Sequence, residues 1–248
     1  MKKNNFGYPS EYMRVNNYSI EYFEITIEYF YILKDLYKNI EDFPYRYDEK
    51  STELLHQFNK NIAKVIVFAE MSIEALINDY LAASIGDDFF YNYFDKMSID
   101  SKIMLIAKFI FGVEIRKDSK LYSCLKLLIR ERNRLVHNKS YDLIKFAKLK
   151  GISLSSDANE IELTDDDFCI NLKELKEEIS VCKQAIQAIV EVATFLDDYD
   201  ENIKAIVKLF KIGANTMRTP HYMGKAIKEF NIKVKRKWNL NLKHNHIS

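Results

Sequence analysis

Arg132 and His137, in the segment RNRLVH, have the chemistry and spacing of a site that acts on phosphate. The planar guanidinium of arginine presents a fork of donors that fits phosphate oxygens. Histidine titrates near neutral pH and can accept or donate a proton during a reaction. Together they suit RNA cleavage, in which the 2′-hydroxyl attacks, His137 moves its proton and Arg132 stabilises the charge that builds up on phosphorus. This chemistry requires neither a metal nor another cofactor.

Helical phase places Arg132 among apolar residues. At about 100° per residue it falls at the centre of an apolar arc, while Asn133 and His137 fall one turn apart on the polar shoulder of that arc. The residues of the arc are Leu121, Leu125, Leu128, Ile129, Leu135 and Val136. A buried guanidinium without a partner is costly, so Arg132 either pairs with a carboxylate or faces an anion. Glu74 is the first candidate for an internal partner and Glu70 the second, and a purely structural salt bridge is the competing interpretation.

The elements that must position these residues are helices. Apolar residues recur at three- and four-residue steps, the period of amphipathic helices. The pattern predicts helices over 18–40, 52–84, 98–112 and 171–196, a helix that starts near Asp118 or Ser119 and carries RNRLVH, and shorter helices over 201–212 and 224–231. The polar region 139–170 reads as a loop, with a small hairpin near 150–170. Only six Gly and three Pro occur, which favours long helices. The predicted fold class is all-α, an antiparallel helical bundle.

Composition narrows the class of protein. The chain has 248 residues, 48% of them hydrophobic and 29% charged, which is typical of a globular domain. Cys124, Cys169 and Cys182 form no CxxC pair, so we expect neither a disulfide framework nor a metal site, and a cytoplasmic location. No signal peptide is visible. The longest apolar stretches are short and broken by charge, so no membrane contact is expected.

Positive charge is concentrated at the C-terminal end. Residues 201–248 hold nine Lys and two Arg against two Glu, a balance of +9, so residues 1–200 carry −8. We therefore divide the chain into a bundle domain over 1–200 and a basic extension over 201–248. RNA is the expected partner, because cations contact phosphates and an indole can stack on a base; a solvated tail is the alternative. The predicted RNA-binding residues are Arg130, Arg134, Lys139, Lys235, Arg236, Lys237 and Trp238.

The segment RNRLVH resembles the R-x4-6-H motif of the HEPN superfamily, in its R-N-x-x-x-H form. The segment FAEMSIEALINDYLA (68–82) is similar to the helix that precedes the motif helix in that family, and LLIRERNRLVHNK resembles the motif helix itself. The resemblance covers about residues 52–140, and 171–196 is a plausible closing helix, which together give a HEPN-like core over about 52–196. It implies an all-α bundle of HEPN type with extra N- and C-terminal helices.

The resemblance also implies a function. Carried over by position, Arg132 and His137 would be the catalytic pair of a metal-independent endoribonuclease, and Asn133 would orient the site. The family typically forms homodimers in which two motif helices face each other. Many members are toxins with an antitoxin or sensor partner, or abortive-infection effectors in anti-phage defence. Others are non-catalytic modules that bind RNA or a partner, which is the alternative function for this chain.

One position departs from a subclass of the family. Some HEPN toxins carry a tyrosine two residues after the histidine, and nucleotide transfer to it silences them. That position here is Lys139, and the first tyrosine is Tyr141. Silencing of this kind is therefore not expected. The predicted supporting residues of the site are Glu70, Glu74 and Tyr141.

Overall fold

The fold is seen in a computed structural model that describes residues 18–41, 49–136, 172–201, 203–210 and 221–232. Within these ranges every regular element is a helix and no strand occurs, so the all-α prediction is confirmed for them. The predicted hairpin near 150–170 lies outside the described residues. The elements are α1 (Ser19–Glu41), α2 (Glu49–Ile85), α3 (Asp87–Tyr93), α4 (Ile99–Leu105), a π-helical segment (Ile106–Phe111), α5 (Lys120–Val136), α6 (Leu172–Tyr199), α7 (Ala205–Leu209) and α8 (His221–Glu229).

Helices α1 and α2 pack side by side in opposite directions. The Ser72 hydroxyl of α2 donates to the Ser19 carbonyl at the start of α1, at 2.8 Å. Further along α1, the Tyr29 ring lies 4.0 Å from the Lys64 ammonium, eight residues earlier in α2. Residue numbers therefore rise along one helix as they fall along the other, as the bundle prediction requires.

Helices α5 and α6 pair in the same antiparallel manner. Lys120 at the start of α5 lies 2.9 Å from Glu191, and Arg134 near its end lies 3.3 Å from Glu178, more than three turns earlier in α6. Helix α2 contacts both α5 and α6, and α6 also contacts α1. The four long helices thus enclose one core.

That core is built from the apolar stripes that the helical period predicts. Burial of each large side chain contributes about 1.5–3 kcal/mol, which outweighs the weak intrinsic preference of any single residue for helix. Fully buried members include Phe23, Ile27, Phe30, Leu33, Phe58, Ile66, Ile73, Ile77, Leu128, Ile186 and Ile189. Cys124 and Cys182 are also buried, and burial raises the pKa of both thiols.

The segment between α2 and α5 differs from its prediction in two ways. Helix α3 follows Gly86 directly, where the sequence suggested only the end of α2. The helix predicted over 98–112 is confirmed in extent, but its second half is π-helical. Gly112 ends it with a φ of 71°, the left-handed conformation that glycine adopts without steric cost, and the Val113 N–H closes the wide turn on the Ala107 carbonyl at 2.8 Å.

The two C-terminal helices pack on the bundle. Buried Asp197 of α6 accepts the backbone N–H groups of Ala205 and Ile206, which begins α7. Glu229 of α8 accepts hydrogen bonds from Lys34 and the Tyr31 hydroxyl of α1. The side chains of Phe210, Met223 and Phe230 join the same core.

Helix α6 is long and apolar enough to cross a bilayer, judged by length and composition. The expectation that no stretch of the chain meets this criterion is therefore wrong. Half of its most apolar stretch is buried among the other helices. The residues that make it apolar, such as Ile186 and Leu196, belong to the core of the bundle.

Candidate functional site

Helix α5 places Arg132 at the edge of its buried face. The fully covered positions of this helix are Leu121, Cys124, Leu125, Leu128 and Glu131, whereas Val136 is exposed. The buried face of α5 is thus rotated relative to the predicted one. Arg132 lies at the edge of this face rather than at its centre, and 33% of its side chain is exposed. A guanidinium at the margin of a core keeps its aliphatic stem dry while its head reaches polar groups.

The carboxylate that pairs with Arg132 is Glu70 of α2. The Arg132 Nε lies 3.0 Å from the Glu70 Oε2, and its Nη1 donates to the Asn133 Oδ1 at 3.2 Å. The preference for Glu74 is therefore wrong by one helical turn: the Glu74 carboxylate instead lies 3.6 Å from Lys102 of α4. The periodicity of each helix placed both glutamates on the correct face, but it does not fix how far α2 and α5 are shifted along each other.

Burial and charge oppose each other at Glu70. Its side chain is only 10% exposed. Burial raises the pKa of Glu70, the charge and hydrogen bonding of Arg132 lower it, and the neighbouring charge of Glu74 raises it again; the net pKa lies above the ordinary value. Arg132 therefore counteracts, but does not cancel, the effect of burial on the pKa of Glu70.

A buried lysine continues this line of polar groups along α2. Lys102 is fully buried, and its ammonium donates to the Asn78 Oδ1 at 2.8 Å and to the Asp95 carbonyl at 2.7 Å. Glu70, Glu74 and Asn78 are spaced four residues apart, so they form one row on α2. Within this row, Glu70 pairs with Arg132 of α5, whereas Glu74 and Asn78 contact Lys102 of α4.

The two neighbouring arginines of α5 also have acidic partners. Arg130 and Arg134 donate through Nε to the two oxygens of Glu131, at 2.9 and 2.8 Å, and Arg134 also reaches Glu178 of α6. Burial raises the pKa of Glu131, but hydrogen bonds from both arginines outweigh this effect and hold the pKa below its ordinary value. The sequence analysis predicts that both arginines bind RNA. It overlooks Glu131, because Glu131 lies outside the predicted apolar arc of the helix, where a charged residue is expected to be exposed.

Several predicted site residues lie outside the described residues. His137 is the first residue after α5 as described, so its distance from Arg132 is not part of the structure. The same holds for Lys139, Tyr141, Lys235, Arg236, Lys237 and Trp238. Of the predicted site, the structure brings together Arg132, Asn133 and Glu70, with Glu74 one turn away.

The arrangement of Arg132, Glu70 and Asn133 is suited to binding an anion. Of the five N–H donors of the Arg132 guanidinium, two have partners among the described residues: Nε at Glu70 and Nη1 at Asn133. Arg132 can therefore remain paired with Glu70 and still donate to a further anion. Among the described residues, no three His, Cys, Asp or Glu side chains come together as a set of metal ligands.

Comparison of the chain with protein-family models, with curated proteins and with solved structures gives no match. An assignment of function therefore rests on the residues and their geometry.

Proposed function

We propose that this chain is a metal-independent endoribonuclease of HEPN type that works as a homodimer. The observation that carries the proposal is the state of Arg132: it is oriented by Glu70, adjacent to Asn133, and one-third exposed at the margin of the core. An arginine that receives substrate must reach solvent, and the exposed third of this side chain does so. The R-x4-H spacing then supplies His137 directly after α5.

The proposed reaction needs only groups on the protein and the RNA. His137 accepts the proton of the 2′-hydroxyl, and the 2′-oxygen bonds to phosphorus. The bond from phosphorus to the 5′-oxygen breaks, and that oxygen takes a proton from a second general acid, for which His137 of the partner subunit is the candidate. The products are a 2′,3′-cyclic phosphate and a 5′-hydroxyl. Arg132 stabilises the charge on the pentacoordinate phosphorus.

Glu70 has a supporting role in this mechanism. Its carboxylate binds the Nε edge of Arg132 and thereby fixes the plane of the guanidinium. A fork held in one orientation loses less conformational entropy when it binds phosphate. We therefore class Glu70 as a positioning residue, and Asn133, which accepts from Nη1, as a second one.

The biological setting that we propose is a toxin or an anti-phage effector, controlled by an antitoxin or sensor protein. A chain that cleaves cellular RNA should arrest growth when it is expressed alone. We expect arrest with the wild-type chain and none with His137→Ala at equal protein levels. Normal growth with active enzyme in the lysate would contradict a toxin role and leave the nuclease assignment intact.

The alternative is a non-catalytic HEPN-like module that binds RNA or a protein partner. The ion pair between Arg132 and Glu70 is the observation in its favour, because such a pair can also serve structure alone. RNA binding without cleavage, unaffected by His137→Ala, would support this alternative.

The deciding experiment is a cleavage assay on total RNA in EDTA, with detection of 2′,3′-cyclic phosphate ends. We expect His137→Ala to lose about 10²–10⁴-fold in rate while it keeps the wild-type melting temperature. The matched control is His56→Ala, which changes an exposed histidine of α2 and should leave the rate unchanged. Full activity of the His137 variant would overturn the assignment.

A further inference from the structure

A groove lies between the α4 region and α5, beyond the row of charged residues that holds Arg132. It has a volume of about 440 Å³, which is within the range of small-ligand sites. Its walls include Met104, Leu105, Phe109 and Tyr122, and Asp100 and Ser101 supply polar groups. The groove thus offers apolar and aromatic surface together with a small number of hydrogen-bonding atoms.

Phe109 stands at this groove with 82% of its surface exposed. Leaving a phenylalanine in water forgoes the roughly 1.5–3 kcal/mol that its burial would provide. The π-helical segment holds it there, and such segments occur frequently at functional sites. An exposed ring at the edge of an apolar groove is a surface on which a flat ligand can stack.

The polar groups of the groove are already charged and oriented. Lys126 of α5 lies 5.6 Å from the centre of the Tyr122 ring and donates to the Asp100 Oδ2 at 2.5 Å. Burial raises the pKa of Asp100, but hydrogen bonds from Lys126 and Ser98 outweigh it and hold the pKa below its ordinary value. At neutral pH the groove therefore presents an ionised carboxylate beside an aromatic ring, and the Lys126 ammonium is bound to that carboxylate.

Helix α5 connects this groove to the candidate active site. Tyr122, Lys126, Ile129 and Asn133 follow one another at four-, three- and four-residue steps, so they share one face of the helix. The eleven residue steps from Tyr122 to Asn133 span about 16 Å along the helix axis. A single-stranded polynucleotide held at Arg132 and Asn133 can therefore reach the groove within a few nucleotides.

We propose that this groove binds one base of a single-stranded RNA, stacked against Phe109 and Tyr122, with the exocyclic amino group of the base donating to Asp100. The inference rests on the proposed function, since it names a specificity subsite for that RNA substrate. Lys126 is placed to contact the adjoining phosphate. A carboxylate accepts from the exocyclic amino groups of cytosine, adenine and guanine, whereas both exocyclic groups of uracil are carbonyl oxygens, which repel it. The subsite therefore disfavours uracil.

The observations favour RNA over an apolar peptide as the occupant. A peptide that bound by burial alone would gain nothing from an ionised aspartate in the groove, and it would have to desolvate that charge. Stacking surfaces interleaved with cations are the recurring elements of single-strand recognition. The face shared with Asn133 adds continuity with the phosphate site.

The test measures the anisotropy of fluorescent oligoribonucleotides of adenine, cytosine or uracil with the full chain; their 2′-hydroxyls are methylated, so that the proposed nuclease cannot cleave them. We expect the wild type to bind the uracil oligomer about tenfold more weakly than the other two, since discrimination by a base-edge contact is of this order. Phe109→Ala should weaken binding of all three by about tenfold, because a stacking ring is removed. Asp100→Asn, which introduces an amide donor, should abolish the discrimination against uracil. Tyr93→Ala, an exposed aromatic of α3 outside the groove, is the matched control and should bind as wild type.

The outcomes separate this inference from the nuclease proposal. Cleavage of RNA with binding and base preference unchanged in Phe109→Ala and Asp100→Asn would overturn the subsite and leave the nuclease standing. Binding that depends on Phe109 and Asp100, without cleavage by the wild type, would support the subsite and overturn the nuclease. Loss of self-association in Phe109→Ala, with RNA binding intact, would identify the groove as a protein contact and also overturn the subsite. The melting temperature of Phe109→Ala should match the wild type, since the ring is exposed. Asp100→Asn loses a partly exposed ion pair with Lys126, so its melting temperature should fall by only about 2–4 °C.

Discussion

The ion pair between Arg132 and Glu70 allows catalysis and stability to be measured separately. We consider Arg132→Ala, Glu70→Gln and the double variant. The first removes the guanidinium, while the second keeps the shape of the side chain and one acceptor oxygen for Nε but removes its charge. If Arg132 serves only the fold, activity should follow stability in all three variants. If it also receives phosphate, the two quantities should diverge in Arg132→Ala.

The expected magnitudes follow from the exposure of the pair. A hydrogen bond between charged groups contributes about 1.5–3 kcal/mol when it is buried. Arg132 is one-third exposed, so water screens the interaction and we expect a coupling of about 1–2 kcal/mol from the double-mutant cycle. For a chain of this length a loss of that size lowers the melting temperature by about 2–8 °C, and Arg132→Ala, which also leaves Glu70 without this cation, should lose at least as much. A domain with ordinary stability of about 5–15 kcal/mol stays almost wholly folded at 25 °C after such a loss.

Catalysis should respond far more strongly than stability. Removal of a group that stabilises transition-state charge typically costs about 10²–10³-fold in rate. Glu70→Gln should cost about tenfold, because Arg132 stays in place but is less firmly held. The assays are urea unfolding and initial cleavage rates at 25 °C on the same preparations. Arg116→Ala, which removes an exposed arginine paired with Asp118, is the control for loss of positive charge.

One pattern of results would refute this reasoning. If Arg132→Ala cleaves RNA at the wild-type rate whenever it is folded, the arginine is structural and the proposed site is wrong. The same conclusion follows if Arg132→Ala and Glu70→Gln lose activity equally and each loss equals the unfolded fraction.

Three further predictions concern the supports of the site. The stability that Glu131 contributes is fully present above its unfolded-state pKa of about 4.3 and is lost as pH falls through its lower folded-state pKa. Glu131→Gln should therefore flatten the dependence of unfolding free energy on pH below about 4, whereas exposed Glu177→Gln should not. Lys102→Met leaves Asn78 without its buried donor and should cost about 3 kcal/mol in urea unfolding; a change below 1 kcal/mol would contradict the importance of these bonds. Asp197→Ala removes the acceptor that begins α7 and should cost about 1–2 kcal/mol, measured by thermal unfolding.

Long helices were predictable because their apolar stripes repeat over many turns. Helices α1, α2, α5 and α6 begin and end within a few residues of their predicted bounds. Helix α3 was missed because its seven residues, DDFFYNY, are too few for a period to stand out and its aspartates after Gly86 resemble a turn. The widening of the helix after Leu105 into a π-helix has no sequence signal that we recognise.

The candidate site was predictable in composition but not in detail. A guanidinium among apolar residues needs either a carboxylate or an anion, and the glutamates of α2 that the sequence offered for the first alternative include its actual partner, Glu70. The sequence analysis preferred Glu74 to Glu70, and wrongly, since the relative shift of two packed helices depends on side-chain fit across the whole interface. The burial of Glu131 could not be predicted for a related reason. A rotation of α5 about its own axis by a fraction of a turn decides which side of its apolar stripe is covered by the other helices.

The anchoring of α8 determines how the C-terminal end of the chain can be manipulated. Met223 and Phe230 fill space against α1, and the Phe230 ring lies 6.1 Å from that of Phe30. A truncation placed before His221 would uncover this aromatic pair, and the shortened product would be prone to precipitate. The contribution of the basic stretch that follows Ile232 should therefore be probed by replacing its lysines and arginines, or by a stop codon placed after that isoleucine.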